Sequence, residues 1–133
     1  VVPIFLEQAL RREPQTIQGL GDQTRDFNPV ENHLDAIVAA LTKPKAVGRI
    51  LNVGSGVERS IRSVAEACLE VTGSKSAISF LPWRPGEKGL RVSLDISRAQ
   101  ELLAYSPKVS FQEELERMCS WLAKETSVAV AVR

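Results

Sequence analysis

The stretch from Arg49 to Gly73 restricts the fold more than any other part of this sequence. Arg49-Ile50-Leu51-Asn52-Val53 is a short apolar run of strand composition that stops on Gly54-Ser55-Gly56. A helical stripe follows, with Ile61, Val64, Ala65, Cys68 and Leu69 recurring at one face. Ser60 stands where a hydroxyl caps such a helix, and Gly73 where the left-handed turn after it needs a residue without Cβ. A strand that feeds a helix through a tight turn must pack the helix on a sheet, so layered α/β structure is the expected class.

The rest of the chain agrees with that class. Val2, Phe5, Leu6, Ala9 and Leu10 mark one face of a helix with Pro3 in its first turn, ending before Pro14. Gln15 to Leu20 reads as a strand ending at Gly19 and Gly21, and Asp26 to Val30 as a second, confined to an edge by Pro29. Leu34, Ile37, Val38 and Leu41 share a face of the next helix, and Pro44 and Gly48 punctuate its exit. Ala77 to Leu81 is a further strand, Pro82 to Gly89 an irregular loop, and Asp95 caps a short helix reaching Leu103. Ser110 and Glu113 spell a capping box before a stripe of Phe111, Leu115, Met118, Cys119 and Leu122. The expectation is one small mixed α/β domain over residues 1–125. The alternation from Val128 to Val132 is a tail or a terminal strand within 126–133.

Charge excludes some functions and sharpens others. Seventeen Lys and Arg against sixteen Asp and Glu leave a net charge of +1, too balanced to hold nucleic acid or an anionic membrane. Any anion bound here must be held by a few placed arginines. No apolar run approaches the ~20 residues of a membrane span, and the first residues have no signal-peptide pattern, so a cytoplasmic location is expected. Cys68 and Cys119 fall on apolar stripes and read as reduced core residues. His33, the only histidine, has no nearby ligand partner, so neither a metal site nor a Ser-His-Asp arrangement is expected, and it reads as an exposed helix residue. Tyr105, the only tyrosine, has Lys108 three places on and reads as packing near a helix end. Gly54-Ser55-Gly56 has the placement of a dinucleotide turn, but Arg59 occupies the third glycine position. A tight structural turn is the expected role. Catalytic, cofactor-binding and metal-binding residues are therefore all read as none.

Two arginines sit in loops built from turn residues, Arg25 in Gly-Asp-Gln-Thr-Arg-Asp-Phe and Arg84 in Pro-Trp-Arg-Pro-Gly-Glu. A guanidinium is always charged and offers forked planar donors, so two brought together by folding can clamp a diphosphate. Around them lie Val2-Pro3-Ile4-Phe5, Pro14-Gln15-Thr16-Ile17, Gly19-Leu20-Gly21-Asp22-Gln23-Thr24-Arg25-Asp26-Phe27, Asn52-Val53-Gly54-Ser55-Gly56, Arg84-Pro85-Gly86-Glu87 and Asp95-Ile96-Ser97-Arg98-Ala99. In this order, these segments resemble the C-terminal, substrate-binding part of the NAD-dependent epimerase/dehydratase family, extended short-chain dehydrogenases such as UDP-glucose 4-epimerases and dTDP-glucose 4,6-dehydratases. The resemblance covers the chain from Val1 to about Trp121.

The resemblance implies that the strand at Thr16, Ile17 and Gln18 lies along a nucleotide base. It implies that Arg25, Arg84 and Asn52 hold ribose and diphosphate, and it counts Glu87 among the substrate-binding residues. It also implies that the parent enzymes' glycine-rich NAD turn and Tyr-x-x-x-Lys pair lie upstream of the matching part; neither motif is in this sequence. The sequence departs from the family pattern at Asn28-Pro29-Val30-Glu31-Asn32, where an aromatic, valine and two acids are usual, at Gln18, where tyrosine is common, and at Ala104. The expectation is a sugar-nucleotide-binding portion without hydride chemistry of its own and with no cofactor in this chain, NAD belonging to the parent family. Its partners would be a nucleotide diphosphate sugar and either further copies of itself or a Rossmann half supplied in trans. The alternative is a truncated, non-enzymatic oligomeric interaction module.

Overall fold

Helix-period stripes and turn residues place most elements where the sequence puts them. The computed structural model describes residues 1–86 and 88–125, so the expectations for Glu87 and for the terminal alternation at 126–133 lie outside the described residues. Helix α1 (Val2–Leu10) buries Phe5, Leu6, Ala9 and Leu10, and strand β1 (Gln15–Gln18) follows it. Strand β2 (Thr24–Asp26) leads to helix α2 (Val30–Thr42) and a short 3-10 turn at Pro44–Ala46. Strand β3 (Glu58–Ser60) runs straight into helix α3 (Ile61–Thr72), and strand β4 (Ile78–Leu81) comes next. Helices α4 (Ser97–Leu103) and α5 (Phe111–Glu125) complete the described chain.

Two small sheets result, confirming a mixed α/β fold. β1 pairs in parallel with β4, Gln15 opposite Ile78 and Gln18 opposite Leu81. β2 pairs antiparallel with β3. The main core lies where α1, α3 and α5 meet over β1, with Leu6, Ile17, Val64, Cys68 and Leu115 almost wholly removed from water. Burial pushes the Cys68 thiol up to about 12 and raises that of Cys119 as well, so both are unreactive core groups, as their positions on the stripes imply. A second cluster of Ala36, Ala99, Leu103 and Tyr105 joins α2 to α4.

The caps follow the sequence. Ser60 Oγ accepts the Ser63 N–H at 3.0 Å, and Gly73 ends α3 at φ 63°. Ser110 Oγ accepts the Glu113 N–H at 3.2 Å while Glu113 returns a carboxylate oxygen to the Ser110 N–H at 2.7 Å, the reciprocal capping box. Those hydrogen bonds hold the Glu113 carboxyl below its ordinary pKa. Asp95 acts one position earlier than a true cap: its Oδ1 accepts both the N–H and the hydroxyl of Ser97, which lowers its pKa too.

Two expectations are corrected. Arg49 to Val53 is not a strand, because a strand needs a ladder partner and no described segment pairs with it. Leu51 and Val53 instead lie against the second cluster, and Ile50 is 87% exposed. The strand that enters α3 is Glu58–Ser60, whose polar sequence carries no alternation to read. The expected strand at Asp26 to Val30 ends at Asp26, because Pro29 (φ −53°, ψ 145°) occupies the position before α2 and Val30 begins the helix. The apolar stripe of α2 is left bare, as expected of a face whose partner lies outside this chain: Leu34, Ile37, Val38 and Leu41 are all exposed, Leu41 at 82%, as are Val47 and Ile50. The face of α2 that is buried carries Asn32 and Ala36.

Asn32 joins α2 to the segment entering α5. Its Nδ2 donates to the Val109 carbonyl (2.9 Å) and to Asn28 Oδ1 (3.0 Å), and its Oδ1 accepts the N–H groups of Lys108 (2.9 Å) and Val109 (3.0 Å). A carboxylate at this position could only accept, so the departure from two acids supplies the donor that the Val109 carbonyl needs. No helix among the described residues is long and apolar enough to cross a membrane.

Candidate functional site

Among the described residues β1 has one strand neighbour, β4, and that leaves an edge for other uses. Gln15 and Gly19 direct their N–H groups to β4, at Ala77 O (2.9 Å) and Leu81 O (2.8 Å), so Thr16 and Gln18 turn their main-chain groups the other way. Part of this edge is taken by Gln8, whose side-chain amide meets the Thr16 N–H at 3.3 Å and its hydroxyl at 3.2 Å. β1 ends at Gly19 with φ +70°, and a Cβ there would fall 2.3 Å from the Trp83 ring. Trp83 thus lies against a bare glycine backbone, which carries the next residue, Arg84, to the end of β1.

The loop from Gly19 to Gln23 is fixed on its other side by α3. The Arg62 N–H donates to the Gly21 carbonyl (2.9 Å) and the Ile61 N–H to the Gln23 carbonyl (3.0 Å). Gln23 is itself buried and gives its Nε2 to the Gln18 carbonyl at 2.8 Å. β2 then places Arg25 half-buried beside this loop, with Nη1 on the Thr24 carbonyl at 2.7 Å.

These elements enclose a cleft of about 350 Å³. Thr16, Ile17, Gln18, Arg25 and Arg84 all line it, so five of the seven expected site residues come together. The sequence analysis missed Gln23, Phe27 and Ile61 on the same wall, and Val1, Ile4 and Phe5 on the α1 side. Phe27 and Gln23 belong to the same motif as Arg25, which was the available signal; Ile61 gave none, being indistinguishable from the rest of the α3 stripe. Ile17 borders the cleft although the residue as a whole is only 1% exposed, its side chain being packed in the main core. Asn52 does not line the cleft; it is exposed, and its Nδ2 donates to the Asp95 carbonyl at 3.3 Å. A larger open depression of about 1420 Å³ lies along α5 and the C-terminal ends of α1 and α3. Its walls carry none of the expected site residues and mix acidic with basic groups, so it has no comparable chemistry.

Gly54-Ser55-Gly56 grips a carboxylate of its own chain. Asp26 Oδ1 accepts the Ser55 N–H (2.8 Å) and hydroxyl (2.5 Å), and Oδ2 accepts the N–H groups of Gly56 (3.0 Å) and Leu94 (3.3 Å). A Cβ on Gly54 would stand 2.7 Å from Asp26 Oδ2 and 2.8 Å from Leu94 Cδ1, so no larger residue fits this approach. Tyr105 closes the arrangement: its hydroxyl donates to the Gly54 carbonyl at 2.8 Å and accepts from Asn28 at 3.3 Å. Burial is the main cause of its raised pKa. Tyr105 is thus a packed residue after a helix end, as expected. His33 is half-buried rather than exposed, with Nδ1 3.1 Å from Asn28 Nδ2 and 3.3 Å from the Pro29 carbonyl; only one of these contacts is a hydrogen bond in a given tautomer.

Comparison with known proteins fits this geometry. The family model for GDP-mannose 4,6 dehydratase matches residues 1–118. An uncharacterised UDP-glucose epimerase of Bacillus subtilis, YtcB, is 31% identical over 119 residues, covering 90% of this chain and 37% of that protein. The structure of UDP-glucose 4-epimerase from Thermotoga maritima with UDP-glucose superimposes with a TM-score of 0.87 at 30% identity, over 94% of this chain and 40% of that one. UDP-glucuronic acid 4-epimerase from Bacillus cereus, in complex with UDP-glucuronic acid and NAD, gives 0.83 at 33% identity, over 92% and 39%. The chain therefore spans about two-fifths of the length of these relatives. By sequence and by fold, it belongs to the NAD-dependent family of nucleotide-sugar epimerases and dehydratases.

Proposed function

We propose that this chain is the sugar-nucleotide-binding portion of an NAD-dependent epimerase or dehydratase, and that taken alone it binds its ligand without hydride chemistry. The observation that carries the reading is the meeting of Arg25 and Arg84 at the open edge of β1 within one cleft. A planar base with one donor and one acceptor suits the Thr16 carbonyl and the Gln18 N–H, the outward main-chain groups that Gln8 and Gln23 do not take, and the two guanidiniums suit a diphosphate. Asn52 and Glu87 belong to the proposal through the family resemblance; Asn52 needs its ligand to extend beyond the cleft. Two relatives add support, one crystallised with UDP-glucose and one with UDP-glucuronic acid and NAD.

Titration calorimetry with UDP, dTDP and GDP sugars tests this directly. Arg25→Ala and Arg84→Ala are each expected to weaken binding by about 1.5–3 kcal/mol, the worth of a hydrogen bond to a charged group. If both variants stay folded and bind as well as the parent chain, the arginines are not a clamp and the reading fails.

The exposed face of α2, continued by Val47 and Ile50, bears on assembly. We propose that in the whole enzyme it packs against the cofactor-binding half, since about three-fifths of each relative's length lies outside the matched part. Apolar surface of this kind seldom stays bare. The 133-residue chain by itself is expected to self-associate through this face. Light scattering at micromolar concentration that finds only monomer would count against it.

A further inference from the structure

We infer that Arg59 is a third cation of the anion-binding end of the cleft, acting from behind Arg25; the inference rests on the sugar-nucleotide reading. β2 and β3 run antiparallel with Arg25 directly opposite Arg59, so both side chains leave the same face of the strand pair, with Cβ atoms about 5 Å apart. Like charges in that relation repel. The opposite face repeats the problem with acids, Asp26 opposite Glu58, but there each charge is answered within the chain. Asp26 takes the four donors described above. Glu58 takes both arms of Arg91, at 2.8 and 2.9 Å, together with the Thr24 hydroxyl, and these partners hold its carboxyl below the ordinary value.

The arginine face has no such answer. Among the described residues no carboxylate lies within ion-pair distance of Arg25 or Arg59. Arg59 lays its guanidinium over the Phe111 ring, 4.8 Å from the centroid, and its Nε is buried without a partner. Phe111 in turn packs on Phe27 with centroids 5.8 Å apart, and Phe27 lines the cleft. The charge of Arg59 therefore stands one aromatic layer behind the cleft wall, beside the arginine that reaches into it. Two repelling cations without an ion-pair partner among the described residues make a region of positive potential, and a diphosphate completes it. Arg25 supplies the contact and Arg59 strengthens the field.

The test is calorimetry at low and at high ionic strength with three probes: UDP, uridine and inorganic pyrophosphate. Arg59→Leu keeps an apolar cover on Phe111, and Arg59→Lys keeps the charge. The Leu variant is expected to bind UDP and pyrophosphate five- to tenfold more weakly at low salt, with a smaller deficit at high salt, and to bind uridine unchanged; the Lys variant should retain most of the affinity. The unliganded urea midpoint of the Leu variant should not fall, because a repulsion has been removed. Equal losses for uridine and UDP would show a merely structural residue and overturn the inference, as would unchanged UDP and pyrophosphate binding. A parent chain that binds pyrophosphate in an Arg59-dependent way but no nucleotide would sink the sugar-nucleotide reading and leave this one standing. A parent chain that binds neither would overturn both.

Discussion

Asp26→Ala is expected to cost about 3–4 kcal/mol of stability, since a hydrogen bond to a charged group is worth about 1.5–3 kcal/mol and several are lost together, less than additively. The carboxylate holds the N–H groups of Ser55, Gly56 and Leu94 and the Ser55 hydroxyl, all between 2.5 and 3.3 Å. Removing it leaves three main-chain donors around a half-buried gap that Leu94 and the Gly54 backbone were built against. Asp26→Asn should cost less, about 2 kcal/mol, because the amide keeps one acceptor and turns a donor toward N–H groups that need the opposite. Urea unfolding followed by circular dichroism reads both values. A loss below about 1 kcal/mol for Asp26→Ala would mean that Tyr105 and packing hold the turn by themselves.

Asn32→Leu should be of similar size, about 3–4 kcal/mol, by a different route. Here the side chain is 1% exposed, and three of its four hydrogen bonds satisfy main-chain groups of Lys108 and Val109 that lead into α5. Leucine has the same branching and is larger, so the cost is not a cavity but the burial of donors and an acceptor with no partner. Asn32→Asp separates the terms: it keeps the acceptor for the two N–H groups but sets a carboxylate oxygen against the Val109 carbonyl, and should cost at least as much at neutral pH. Differential scanning calorimetry checks the order. If Leu proves milder than Asp by more than about 2 kcal/mol, charge burial rather than hydrogen bonding governs this site.

Much of this arrangement can be read from the chain, and what escapes does so for physical reasons. Helices α1, α3 and α5 announce themselves because each has an apolar face and a second signal that agrees, a cap for α3 and α5 and Pro3 in the first turn for α1. β3 is invisible because Glu-Arg-Ser is polar throughout and leaves no apolar pattern. The run at Arg49 to Val53 misleads in the opposite sense, since apolar β-branched residues describe a surface that wants covering and not a ladder that exists. The same holds for Leu34 to Leu41, whose spacing gives the helix correctly but says nothing about what lies against it. In the cleft, charge and turn chemistry pick out Arg25 and Arg84. Gln23 and Ile61 arrive only through tertiary folding, one by a bond to Gln18 and the other by closing the N-terminus of α3 over the loop. Asp26 was quoted as part of a motif, yet its grip on Gly54-Ser55-Gly56 depends on two segments meeting in space.

The parallel pairing of β1 with β4 has a consequence for how such a chain is made. Gln15 finds its ladder partner only at Ile78, and the whole of α3 lies between. At a ribosome adding about 5–20 residues per second, β1 emerges several seconds before β4 exists, with one edge shielded only by the side chain of Gln8. During that interval the nascent chain offers an unpaired strand next to the unfinished core of α1, a surface that invites chaperones and neighbouring nascent chains alike. Completion of Leu81 closes the window.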